Sequence, residues 1–235
     1  MDSQLNVQTA VKDTLPTVFG YIGIGMAFGI IGRASGFSPL IVGLMSIFIY
    51  AGSAQFTTVS MLSTGSPILS IVLATFLVNS RMILMSTTLT RYFKHDGIGK
   101  NILLGTLLTD ESFALAMNKQ NATAGKLNFA WMNTANIIAY LTWIISSVVG
   151  ALLGGVVGDP KTLGLDFAIV AMFMGLVYLQ VVGDRSLKRS LQLLVIVLTC
   201  VLTYVAQIVL PANLVIIVVT IIGCSLGVWL KNAFF

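Results

Sequence analysis

The chain has 235 residues, of which 57% are hydrophobic and only 9% charged, with a mean hydropathy of +0.96. Soluble domains carry about 25% charged residues, so 13 Lys+Arg and 8 Asp+Glu cannot cover a water-facing surface, and lipid must solvate most of this chain. The net charge of +5 lies scattered over short loops, without the basic stripe of a nucleic-acid binder, so no nucleic-acid partner is expected.

Spans of about 20 residues cross a bilayer core, and the apolar runs divide into eight. In chain order they are about 15–34, 39–61, 67–90, 98–117, 129–156, 163–182, 188–209 and 212–230. Pro16, Pro39, Pro67, Pro160 and Pro211 each fall near the start of a run, where a missing N–H costs nothing. The last two runs are separated only by Leu210-Pro211-Ala212-Asn213, so a re-entrant hairpin, and seven spans, is the alternative. The expected fold is all-α: a polytopic integral membrane protein, one transmembrane domain over residues 1–235, with no room for a soluble domain. Asp2, Lys12 and Asp13 lead into a first span too long for a cleavable signal peptide.

Three G-x-x-x-G motifs begin at Gly25, Gly150 and Gly223. Each lets another helix approach closely, either within the chain or as a docking face for a second membrane subunit.

Charges at membrane depth are expensive and need a partner or a function. Arg81, Asp110 and Glu111 lie well inside spans. Arg81 precedes the loop that begins at Arg91 by about ten residues, and Asp110 follows the end of that loop at Lys100 by about ten. At 1.5 Å per residue both sit roughly 15 Å from the same face, on adjacent antiparallel helices. They are expected to pair. Asp110 and Glu111 point about 100° apart on a helix, so only one can face Arg81 squarely. The other is a candidate proton carrier, coupled to its neighbour.

A second constellation is Tyr50-Ala51-Gly52-Ser53-Ala54-Gln55-Phe56. Four small residues in succession predict an interruption of the second span near Gly52, with freed backbone groups facing a substrate as in discontinuous transporter helices. Ser53 and Gln55 add polar groups there. Phe56, Leu107 and Phe113 are the expected apolar wall. Asn79, just before Ser80 and Arg81, and Asn133, Thr134 and Asn136 are softer candidates.

No metal site is expected, because one histidine, His95, and two cysteines in apolar runs cannot supply four ligands. Cys200 and Cys224 are expected as weakly hydrophobic core residues. The chain has no G-x-x-x-x-G-K-[ST], H-E-x-x-H or G-x-S-x-G motif, so no cofactor and no enzyme activity are expected.

Four elements in order carry a family resemblance: Pro16…Gly20-Tyr21…Gly25-x-Ala27-x-Gly29, Tyr50-Ala51-Gly52-Ser53-Ala54-Gln55-Phe56, Asn79-x-Arg81 and Thr109-Asp110-Glu111-Ser112-Phe113-Ala114. With them the first half of the chain resembles the AzlC/YgaZ-type large subunits of branched-chain amino acid exporters. The resemblance implies export of leucine, isoleucine, valine and analogues across the bacterial cell membrane, and a small AzlD-type membrane partner. The residues themselves point to a proton-coupled carrier with a pathway through Gly52, Ser53, Gln55, Asn79, Arg81, Asp110 and Glu111. The rival readings are a channel-like pore and a scaffold subunit.

Overall fold

The computed structural model describes residues 4–155, 187–210 and 212–234, with residues 170, 174–175, 177–178 and 181–182 between them. Most of the predicted span 163–182 lies outside the described residues, as do Pro160 and Pro211. What is described is helical and polytopic, as the composition requires. The outward faces are apolar: Phe19 is 72% exposed, Phe48 81% and Ile208 72%. Water would not tolerate so continuous an apolar surface, whereas hydrocarbon does.

Helix α1 is Val7–Ala34. It starts upstream of the predicted boundary because Asn6 and Thr9 form a reciprocal capping box. Pro16 therefore sits inside the helix instead of at its start. The second span is two helices, α2 (Pro39–Phe48) and α3 (Gly52–Ser63). Ser38 caps α2, and Pro39 occupies its first turn as expected. The third span is α4 (Ile68–Asn79) and α5 (Arg81–Thr90). These join through a tight turn at Ser80, whose hydroxyl and amide both donate to Leu77 O. The fourth span, predicted as unbroken, is also two helices, α6 (Ile98–Thr106) and α7 (Asp110–Ala122). Helix α8 is Phe129–Leu153, α9 is Arg189–Val209 and α10 is Ala212–Phe234. Among the described residues, four stretches are individually long and apolar enough to cross a bilayer: Val7–Ala34, Ile68–Thr90, Phe129–Leu153 and Arg189–Val209. The last of these favours α9 as a full crossing over one arm of a re-entrant hairpin.

Helices α1 and α8 form the spine. A Cβ built on Gly25 would strike Ser146, one on Gly29 would overlap Ser147 O, and one on Gly150 would overlap Met26 O. Gly154 lies against Ile30 and Arg33. The contacts advance together along both helices, so α1 and α8 run parallel. Parallel helices need an odd number of crossings between them, and α2/α3, α4/α5 and α6/α7 supply three. The glycine motifs of α1 and α8 are thus occupied by one another. Gly223 and Gly227 of α10 pack on Thr199 and Val195 of α9. All three G-x-x-x-G motifs pack against another helix of this chain. Cys200 and Cys224 are exposed, not core residues.

Two apolar clusters flank the middle of this spine. One gathers Ala10, Leu104, Leu108, Ala116, Trp131 and Met132 towards the N-terminal ends of α1 and α8. The other gathers Tyr21, Phe28, Val42, Phe56, Val59 and Trp143 from the midpoint onwards. The polar site lies between them.

Candidate functional site

The interruption of the second span falls where the run of small residues predicts. Ile49 ends α2, Tyr50 takes φ 40° and Ala51 is extended before Gly52 opens α3. A positive φ is costly for a residue as bulky as tyrosine. The N-terminus of α3 has no side-chain cap, because Ala51 stands at the cap position. Its first N–H groups, including those of Gly52 and Ser53, have no intrahelical acceptor. The freed end of α2 is treated differently: Tyr140 Oη donates to Ile47 O at 3.0 Å.

The break in the fourth span was not anticipated, although Thr109-Asp110-Glu111-Ser112 is a helix-start signature. Thr109 caps α7, its hydroxyl accepting from Ser112 N while Ser112 Oγ accepts from Thr109 N. Asp110 and Glu111 fill the first turn, where the helix dipole favours acids. The freed carbonyl of Leu104 in α6 accepts from Asn136 Nδ2 at 3.4 Å. Asn136 and Tyr140 lie one turn apart on α8, so one face of that helix satisfies the loose ends of both broken spans. Asn136 thereby has a structural account.

Arg81 ties the two breaks together. Its Nη2 lies 2.8 Å from Asp110 Oδ2 and 3.0 Å from Ser53 Oγ. The pairing expected from equal depth is therefore present, and Asp110 is the acid that faces Arg81. Glu111 turns the other way, to Tyr21, whose Oη lies 2.8 Å from both Glu111 Oε2 and Thr109 Oγ1. A phenol has one proton to donate, so the Glu111–Tyr21–Thr109 chain can reverse its direction.

These groups line one cavity of about 20 Å³, closed on its apolar side by Ile24, Met82 and Trp143. That is room for about one water molecule. Trp143 lies edge-on to Tyr21, with ring centroids 5.1 Å apart. Its Nε1 donates to Gln55 Oε1 at 2.9 Å, and Gln55 Nε2 donates to Ser46 Oγ at 3.1 Å. Gln55 is fully buried behind the tryptophan and does not line the cavity, nor does Asn79. Phe56, Leu107 and Phe113 do not form the apolar wall either. Phe56 packs on Phe28 at 5.3 Å, Phe113 belongs to the other cluster, and Leu107 packs against the Phe28 cluster. Residue type alone could not tell a wall from a core. Tyr21, Tyr50 and Trp143 are among the lining residues that lie outside the pathway expected from the sequence.

A second ion pair ties the far end of α7 to the spine. Lys119 Nζ is 2.7 Å from Asp13 Oδ2, and Trp131 Nε1 donates to the same oxygen at 3.0 Å. Among the described residues, no group of three or more His, Cys, Asp or Glu side chains could hold a metal ion.

Fold and site together define a multi-pass membrane protein with a polar cavity at the junction of two broken helices. The chain belongs to the AzlC protein family, whose pattern it matches over residues 16–157. It is 33% identical over 167 residues to the inner membrane protein YgaZ of Escherichia coli, covering 69% of this chain and 68% of the relative. It is 27% identical over 168 residues to the branched-chain amino acid transport protein AzlC of Bacillus subtilis, covering 71% and 65%. A membrane protein of Helicobacter pylori strain J99 is 29% identical over 217 residues, covering 91% and 94%. No solved structure matches the chain. Family membership supports a role in membrane transport.

Proposed function

We propose that this chain is a secondary transporter that exports branched-chain amino acids (leucine, isoleucine, valine and analogues) from the cell, coupled to protons. It acts in the cell membrane as one transport domain, residues 1–235, paired with a small AzlD-type subunit. The substrate class is supported by the likeness to the Bacillus subtilis branched-chain amino acid transport protein. Export and the small partner rest on the family resemblance alone.

One observation carries the reading: two broken helices aim their N-termini at a single cavity, and Arg81 bridges them. A zwitterion entering membrane depth must replace the water at both its ends. The uncapped start of α3, with Arg81 and Ser53, suits a carboxylate. Asp110 and Glu111 suit an ammonium group. Ile24, Met82 and Trp143 offer the apolar surface that a branched side chain needs.

Ordinary small-molecule pockets measure about 300–1,000 Å³, so about 20 Å³ describes a collapsed cavity. It must open to admit leucine. That requirement favours a carrier over a standing pore, and the chemistry asked of the site is binding and release, not bond breaking. Glu111 is the better candidate for the coupling proton, because Arg81 is engaged by Asp110 while Glu111 faces the reversible Tyr21 chain. The test is leucine efflux from the native host with the gene deleted and restored. Restored cells should show saturable efflux that falls when the proton gradient is dissipated. Equal efflux from both strains would contradict the reading.

A further inference from the structure

We propose that Tyr50 touches the substrate: its phenol oxygen, with Glu111 and Asp110, forms the subsite for the ammonium group of a zwitterionic amino acid. This rests on the transport reading above and adds to it a residue and a polarity.

Tyr50 is only 7% exposed, lines the cavity, and its Oη makes no hydrogen bond of normal geometry, although the Tyr21 phenol acts on it. A buried hydroxyl without a partner weakens a fold. Phenylalanine would give the same edge-to-face packing on Tyr140, where the centroids are 4.8 Å apart at 87°. Folding therefore accounts for the ring but not for the hydroxyl. The backbone is also strained at this residue, with φ 40° at the helix break. Strain and an unpaired polar atom, meeting at a cavity, mark a group reserved for a ligand.

The neighbours set the polarity. Glu111 and Tyr21 line the same cavity, and Tyr140 packs behind the Tyr50 ring. Asp110 Oδ1, in the same cavity, is also buried and unpaired. An ammonium group has three donors, and Asp110 Oδ1, Glu111 and Tyr50 Oη are three acceptors on one cavity. The rings of Tyr21, Tyr50 and Trp143 supply further attraction for a cation. The unpaired donor, Arg81 Nε, lies on the residue that bridges to α3, where a carboxylate is expected.

The test uses membrane vesicles from the native host carrying the wild-type chain, Tyr50→Phe or a gene deletion. Leucine counterflow is competed with isoamylamine, which lacks the carboxylate, and isocaproate, which lacks the ammonium. Tyr50→Phe should reach wild-type abundance with unchanged or raised thermal stability. Its affinities for leucine and isoamylamine should fall about tenfold, while competition by isocaproate stays the same. Unchanged affinities, a loss confined to isocaproate, or failure of isoamylamine to compete in the wild type would overturn the assignment. So would failure of the variant to accumulate, since the hydroxyl would then serve folding. Wild-type vesicles indistinguishable from the deletion would instead reject the transport reading itself.

Discussion

Arg81 makes two hydrogen-bonded contacts at 28% side-chain exposure, and its partner Asp110 is 11% exposed. Removing one member of such a pair leaves a charge at membrane depth without compensation, at a cost of about 3 kcal/mol. Arg81→Ala should therefore lower membrane abundance and abolish leucine efflux. Adding Asp110→Asn should restore abundance but not efflux. Normal transport by the single variant would show that the pair is dispensable. Glu111 has a different expected role. Glu111→Gln keeps an acceptor for Tyr21 and for an ammonium group but carries neither charge nor proton, so leucine exchange should persist with weakened affinity while efflux loses its dependence on the proton gradient. An unaltered gradient dependence, measured across a pH series in vesicles, would remove Glu111 from the coupling path. The Arg81–Asp110 pair was legible in the sequence because charge at depth is rare and the connecting loop fixes both distances. The roles of Tyr21, Tyr50 and Trp143 were not, because an aromatic residue in an apolar span looks the same whether it packs in a core or lines a cavity.

The broken helices define the site at the scale of elements. Gly52 is where α3 passes under Trp143, and a Cβ there would lie 2.9 Å from the indole Cη2. Gly52→Val should displace the tryptophan and block leucine efflux at near-normal abundance. Full efflux at normal abundance would separate this break from transport. The spine responds differently. Gly29 meets backbone atoms of Ser147 and Ala151, which cannot yield as a side-chain tip can. Gly29→Leu should force α1 and α8 apart and cost about 3 kcal/mol or more, read as lost abundance with no folded remainder to assay. Of the interruptions in the second and fourth spans, that at Gly52 could be read from four small residues in a bulky helix. The one at residues 107–109 could not be read from hydropathy, because Leu107 and Leu108 keep the window apolar through the break. Its signal was Thr109-Asp110-Glu111-Ser112, which marks a helix start more strongly than it marks a charged site. Arg81 and Asp110 still meet at equal depth, because so short a break hardly alters how far Asp110 lies from the loop.

The arrangement of the whole molecule sets its working parts beside the α1–α8 spine, where α3, α5 and α7 begin. Those two helices are parallel and interlocked through glycine, so they are expected to move as one body. The half-helices α3 and α7 are held to them by side chains: Trp143 to Gln55, Tyr21 to Glu111, Asp13 to Lys119. Hydrogen bonds of this kind exchange more readily than backbone overlap, so opening the cavity is expected to shift the half-helices against a fixed spine. The central claim is that leucine binds where these half-helices begin. It can be tested by substrate protection of a thiol. Cys200 and Cys224 are both exposed and can be replaced by serine, leaving Ala51→Cys, on the cavity wall, as the reactive position. In membrane vesicles that still transport leucine, saturating leucine should slow labelling of the introduced thiol by a small maleimide at least several-fold, whereas lysine should not. Labelling at the same rate with and without leucine, in vesicles that transport it, would place the substrate site elsewhere.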